Sequence, residues 1–126
     1  MNLIMIFFIS LFLQNPKKVL LGNWKGDRFE IIMEKIKGDQ VYGYWKSKSK
    51  KENFKTSYKE VIWDQPCSKA YECELFINGE KLRVLFIGYE KQSEVNDCLI
   101  CEGELTGLEA QIINKGGVTF LYKKIR

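Results

Sequence analysis

Asn78-Gly79 lies between two runs in which apolar and polar residues alternate, residues 71–77 and 81–89. Both turn residues accept the positive φ that a two-residue type I′ turn demands, so the segment reads as an antiparallel hairpin. Its first arm sets Tyr71, Cys73, Leu75 and Ile77 against Glu72 and Glu74, a period of two with one wet face. The same period recurs on both sides. Phe29, Ile31 and Met33 alternate with Glu30 and Glu34, and Tyr42, Tyr44 and Trp45 give residues 40–46 a strong strand preference.

This reading predicts strands over 19–25, 27–36, 40–46, 57–63, 71–77, 81–89, 97–105, 108–114 and 118–125. Between them, Lys37-Gly38-Asp39, Asp64-Gln65-Pro66, Thr106-Gly107 and Lys115-Gly116-Gly117 supply turn chemistry, and residues 90–96 form a polar loop. Beyond the N-terminal run no segment carries a helical period. The expectation is an all-β antiparallel meander of eight or nine strands. It closes into a small barrel, which hides its edges, with a β-sandwich as the alternative. At 126 residues the chain has room for one domain, placed over 16–126.

Residues 3–13 are apolar except for Ser10. Eleven residues are too few for a bilayer-spanning helix, which needs about 20. The run fits the apolar region of a secretory signal, although no lysine or arginine precedes it and no small-x-small cleavage site follows. Residues 1–15 are therefore read as a signal peptide or N-terminal hydrophobic segment, and the protein as exported: secreted, periplasmic or envelope-associated. A retained anchor and a buried first strand are the alternatives. After signal removal no transmembrane segment is expected.

The formal charge of +4 is concentrated at Lys46, Lys48, Lys50, Lys51, Lys55 and Lys59, with Glu52 among them. Such a run attracts nucleic acid, anionic lipid or an acidic partner, or is a solvated hairpin loop. The run has few arginines and no stacking motif, and an exported protein rarely meets nucleic acid, so none is expected as a partner.

The chain has no histidine. That removes Ser-His-Asp and Cys-His machinery, imidazole acid/base catalysis and His-containing zinc sites. Gly116-Gly117 lacks the lysine-hydroxyl pair and helix of a phosphate loop. Glu72 with Glu74 and Glu102 with Glu104 alternate with core positions and read as wet-face carboxylates. No catalytic set, cofactor or metal is nominated, and the protein is read as a non-enzyme.

Cys67, Cys73, Cys98 and Cys101 are disulfide candidates rather than zinc ligands, given the export reading. Three residues of extended strand cover about 10 Å, so Cys98 and Cys101 should not bridge each other. Cys67–Cys98 is the expected rim bridge. A second, between Cys73 and Cys101, would need barrel curvature.

Gly22-Asn23-Trp24 opens the first strand, and Lys123, Lys124 and Arg126 end the last. On this motif and the strand pattern the chain resembles the calycins: lipocalins, fatty-acid-binding proteins and avidins. The resemblance implies that Trp24 plugs one barrel end, covered by a basic side chain, Arg126 being the first candidate. Neither the lipocalin C-terminal helix nor the helical lid of fatty-acid-binding proteins is visible in this sequence. The resemblance also implies a barrel that holds a small apolar or amphipathic ligand. Inward candidates are Phe29, Ile31, Met33, Trp45, Leu75, Val84 and Phe86, which could equally fill a solid core. The alternative function is an envelope interaction protein or inhibitor that acts through the 46–59 or 90–96 loop.

Overall fold

The computed structural model describes residues 16–114 and 116–123. Residues 1–15, with the apolar run, and Arg126 lie outside them. A short helix α1 (Pro16–Leu20) precedes eight strands: β1 (Gly22–Lys25), β2 (Glu30–Lys37), β3 (Gln40–Lys46), β4 (Lys51–Val61), β5 (Ser68–Ile77), β6 (Glu80–Val95), β7 (Cys98–Asn114) and β8 (Gly117–Tyr122). Every neighbouring pair is antiparallel, and β8 returns to β1, so the meander closes into a barrel. The sandwich alternative is set aside.

One side chain from every second position points inward. Trp24, Ile31, Met33, Val41, Trp45, Leu75, Val84, Phe86, Ile112 and Leu121 are all buried in one core. Trp24 and Phe86 meet edge to face with ring centroids 5.1 Å apart, a favoured aromatic geometry.

Three local expectations differ from the fold. Residues 19–20 belong to α1 rather than to the first strand. The lysine-rich segment is largely strand, because β4 starts at Lys51. Residues 90–96 and Thr106-Gly107 are not breaks: β6 runs to Val95 and β7 is continuous through Gly107, which reduces nine expected strands to eight. The turn between them is Asn96-Asp97, both at positive φ (53° and 63°). It is a second two-residue hairpin of the type seen at Asn78-Gly79. Register shifts after Tyr89 and after Glu90 absorb the extra residues of β7.

That long β6–β7 hairpin explains the cysteines. Cys98 pairs with Val95 beside the turn, whereas Cys101 lies opposite Gln92, nearer the barrel. The expected Cys67–Cys98 bridge is replaced by Cys67–Cys101, with Cα atoms 5.4 Å apart. Cys73 pairs with Val84, eight residues along β6 from Gln92 and so roughly 26 Å away at strand rise. Cys73 and Cys101 cannot meet. Cys73 remains a buried thiol, pushed up to about 12 by burial and by Glu72, and is protonated at neutral pH.

Beside the bridge, Glu90 is buried at 3% exposure. Its backbone N–H donates to the Cys67 carbonyl at 2.8 Å, and its Oε1 accepts from the Gly103 N–H in the bulge. Oε2 has no partner among the described residues. Burial raises the Glu90 pKa and the Gly103 bond only partly offsets it. A raised native pKa gives stability that is present below the unfolded value and lost as pH rises through the native one. Glu90→Gln keeps the acceptor for Gly103 and removes the charge. The variant should be more stable than the parent at pH 7, on the order of 1 kcal/mol, and no more stable at pH 3. Thermal unfolding at the two pH values checks this.

Candidate functional site: a plugged barrel with an open far end

In a meander of this kind α1 and the connections after β2, β4 and β6 fall at one end. Those after β1, β3, β5 and β7 fall at the other. The first end is sealed. Val19 and Leu20 of α1 are fully buried, and the Trp24 indole N–H donates to the Leu20 carbonyl at 3.0 Å. Lys123 crosses over this plug, its Nζ 4.9 Å from the Trp24 ring centroid. The same Nζ donates to the carbonyls of Lys18, Val19 and Leu21, groups that a helix C-terminus leaves without internal partners. Burial pulls the Lys123 ammonium down to about 8.

Gly22 is needed here for two reasons. Its φ is +131°, and a Cβ would lie 2.6 Å from the Lys123 stem. The Gly-x-Trp pattern thus has a physical account: glycine admits the basic side chain that covers the tryptophan. Lys123, one of the three basic candidates with Lys124 and Arg126, covers the tryptophan, and Arg126 lies outside the described residues.

The opposite end is open because two seams part there. β8 meets β1 only at Lys25–Tyr122, so residues 117–121 run past the end of β1. β4 and β5 pair only from Tyr58–Cys73 to Val61–Ala70. Beyond that rung they diverge, bridged by the Thr56 hydroxyl donating to the Glu74 carbonyl at 2.8 Å, and leave a cleft of about 230 Å³.

Between the strand ends lies a recess of about 570 Å³. Leu82, Ile112, Leu121 and Ile77 form its floor, Phe29 stands at its side, and Asp27, Arg28, Asn78, Glu80 and Asn114 ring the opening. The volume is within the ~300–1,000 Å³ typical of small-molecule sites. Thr119 faces into it from β8, paired with Ile112. Salt bridges recorded elsewhere on the barrel do not involve Asp27 or Arg28 among the described residues.

The chain matches no protein-family model, and no curated protein or solved structure resembles it significantly. The site therefore rests on its own geometry.

Of the seven inward candidates, Phe29 alone borders the recess. Ile31, Met33, Trp45, Leu75, Val84 and Phe86 are between 0% and 1% exposed and pack against one another beneath it. They fill the barrel between plug and mouth. The sequence reading did not single out Arg28, Leu82, Ile112, Thr119 or Leu121. Alternation shows which residues point inward, but not which end of a barrel is sealed. No group of three or more Cys, Asp or Glu side chains placed to hold a metal ion occurs among the described residues. The Tyr71 phenol, pushed up to about 12 by burial, then by Glu60 and Tyr58, is protonated at neutral pH.

Proposed function

We propose that this protein is a non-catalytic, exported binding protein of calycin-like build that holds a small amphipathic ligand at the open end of its barrel. The recess of about 570 Å³ opposite the Trp24–Lys123 plug carries this reading. Its floor is apolar but nearly covered, with Leu82 at 5% exposure and Ile112 at 1%, and its rim is polar. A compact ligand with an apolar ring or short chain and a polar or anionic end fits better than a long acyl chain. The packed layer of Trp45, Met33 and Phe86 stops anything that would thread deeper. Arg28 offers an anionic end its charge. The Cys67–Cys101 disulfide agrees with an oxidising, exported setting.

The test is titration with 1-anilinonaphthalene-8-sulfonate, an apolar ring pair bearing a sulfonate. Binding of one equivalent is expected, weakened at least ~10-fold by Thr119→Trp, which places a large ring in the recess. Thr119 is exposed and tryptophan suits a strand, so thermal stability should change little. Saturable binding that Thr119→Trp leaves unchanged would contradict the site.

A further inference from the structure

The outer face of β1–β4 is organised differently from the rest of the barrel. Cross-strand register places Lys25 beside Glu30, Glu30 beside Lys46, and Lys46 directly opposite Lys51. Further along, Lys35, Tyr42 and Lys55 form a second rung. The two rungs are four residues apart along β4, about 13 Å at strand rise. Both lysines of the second rung approach one ring: Lys35 Nζ is 5.0 Å and Lys55 Nζ 5.8 Å from the Tyr42 centroid. Lys51 Nζ lies 4.2 Å from the Tyr44 centroid.

This arrangement has an internal cost. Like charges directly opposite on neighbouring strands repel, and two ammonium groups converge on Tyr42. Of these lysines, Lys46 alone has a carboxylate within 4.0 Å among the described residues, Glu30. Beyond the two rungs the cations are answered: Lys59 at the far end of β4 and Arg83 by Glu72, Lys69 by Glu60, Lys81 by Glu74 and Lys91 by Glu102. The β1–β4 face is the stretch of barrel wall whose positive charge the fold leaves uncompensated.

We infer that this face binds an acidic polysaccharide, a chain of sugars bearing carboxylate or sulfate groups. Charge complementarity selects an anion with repeated charges, able to reach both rungs at once. Asn23 and Asn53 sit on the same face as Tyr44, on the neighbouring rung positions, and offer hydrogen bonds to sugar hydroxyls. A single-stranded nucleic acid suits the face less well. It wants open aromatic faces for stacking and is best gripped by arginine forks, whereas Tyr42 and Tyr44 are covered by lysines and this wall carries no arginine. A lipid surface suits it less well too, since the exposed apolar side chains beside it, Val118, Phe120 and Tyr122 of β8, flank only its Lys25 edge, and none stands between the two rungs. No residue of the two rungs lines the recess at the barrel mouth, although Lys25 and Glu30 flank the 26–29 connection that does.

The experiment is binding of the 126-residue chain to immobilised polygalacturonate across a salt series. Single-stranded DNA and vesicles of phosphatidylglycerol are run in parallel. Saturable binding to polygalacturonate that weakens steeply with salt is expected. Lys35→Gln/Lys51→Gln/Lys55→Gln should weaken it at least ~10-fold, and the matching triple Lys→Arg variant should restore it to within ~3-fold. Lys18→Gln/Lys81→Gln/Lys91→Gln, three exposed lysines off this face and the same loss of charge, should stay within ~2-fold of the parent. An equal loss in both Gln triples would reduce the effect to net charge and overturn the site. Binding to DNA or vesicles in preference to polygalacturonate, or to none of the three at low salt, would overturn it as well.

Discussion

Replacing Trp24 with alanine is expected to lower the stability of the barrel by about 3–5 kcal/mol, the range for deleting a buried large aromatic. Trp24 is fully buried, donates to the Leu20 carbonyl, meets Phe86 edge to face and carries Lys123 on its ring. One substitution therefore releases α1, the Lys123 side chain and the first strand together. Against a typical total of about 5–15 kcal/mol, such a loss leaves the fold marginal. Urea unfolding followed by the remaining tryptophans measures it. Lys123→Met keeps most of the stem's packing and removes the ammonium. It should cost about 1–3 kcal/mol, since it removes a partly desolvated cation–π contact and the charged donor to the Lys18, Val19 and Leu21 carbonyls. A Trp24→Ala change below 1 kcal/mol would mean that α1 does not depend on the tryptophan.

Loss of the Cys67–Cys101 bridge should have the next largest effect. The two cysteines are 34 residues apart in sequence, and closing a loop of that size constrains the unfolded chain by about 3–4 kcal/mol in the entropic account. The double change Cys67→Ser/Cys101→Ser should lose that amount, seen as a fall in the urea midpoint. Cys98→Ser should cost less than about 1 kcal/mol, since Cys98 lies at the hairpin turn outside the bridge. Non-reducing peptide mapping gives an independent check: a peptide joining 67 to 101 is expected, and one joining 67 to 98 would contradict the register of β6 on β7.

Physical signals of short range were readable from the residues. Asn78-Gly79 announces its hairpin because its backbone requirement is local. The alternation of Phe29, Ile31 and Met33, or of Tyr71, Cys73 and Leu75, announces strands because burial has a period of two. What depended on longer range was missed. Residues 90–96 are polar because this part of β6 projects past the barrel with Cys98–Glu104 of β7 as its main partner, and a two-stranded arm with little to cover looks like a loop. Thr106-Gly107 has turn chemistry, yet Gly107 lies opposite Tyr89, and a Cβ there would stand 3.4 Å from that ring. A Cβ there would make only ordinary contact, and the turn chemistry of this dipeptide goes unused inside a continuous strand. The bridge partner followed from the same error, because moving the rim three residues along β7 exchanges Cys98 for Cys101.

The candidate site was legible only in part. Trp24 could be placed at a closed end from the Gly22-Asn23-Trp24 resemblance, and Lys123 was among the basic residues that could cover it. The mouth was not legible, since it arises where β8 overruns β1 and β4 parts from β5, and both are consequences of closing eight strands of unequal length. The lysine-rich segment was visible as charge but not as a surface. Only the register that sets Lys46 against Lys51 and Lys35 beside Tyr42 turns separate lysines into two rungs on one wall.

The central claim is that the barrel is filled next to its plug and takes a small amphipath at its mouth. Its most direct test is the mass of the protein purified without reductant from the compartment where it accumulates, recorded first under native conditions and then denatured. The account predicts a native mass that exceeds the denatured one by a single discrete small molecule, and the loss of that excess in Thr119→Trp. Identical native and denatured masses for the parent protein, or an adduct that Thr119→Trp retains in full, would contradict it.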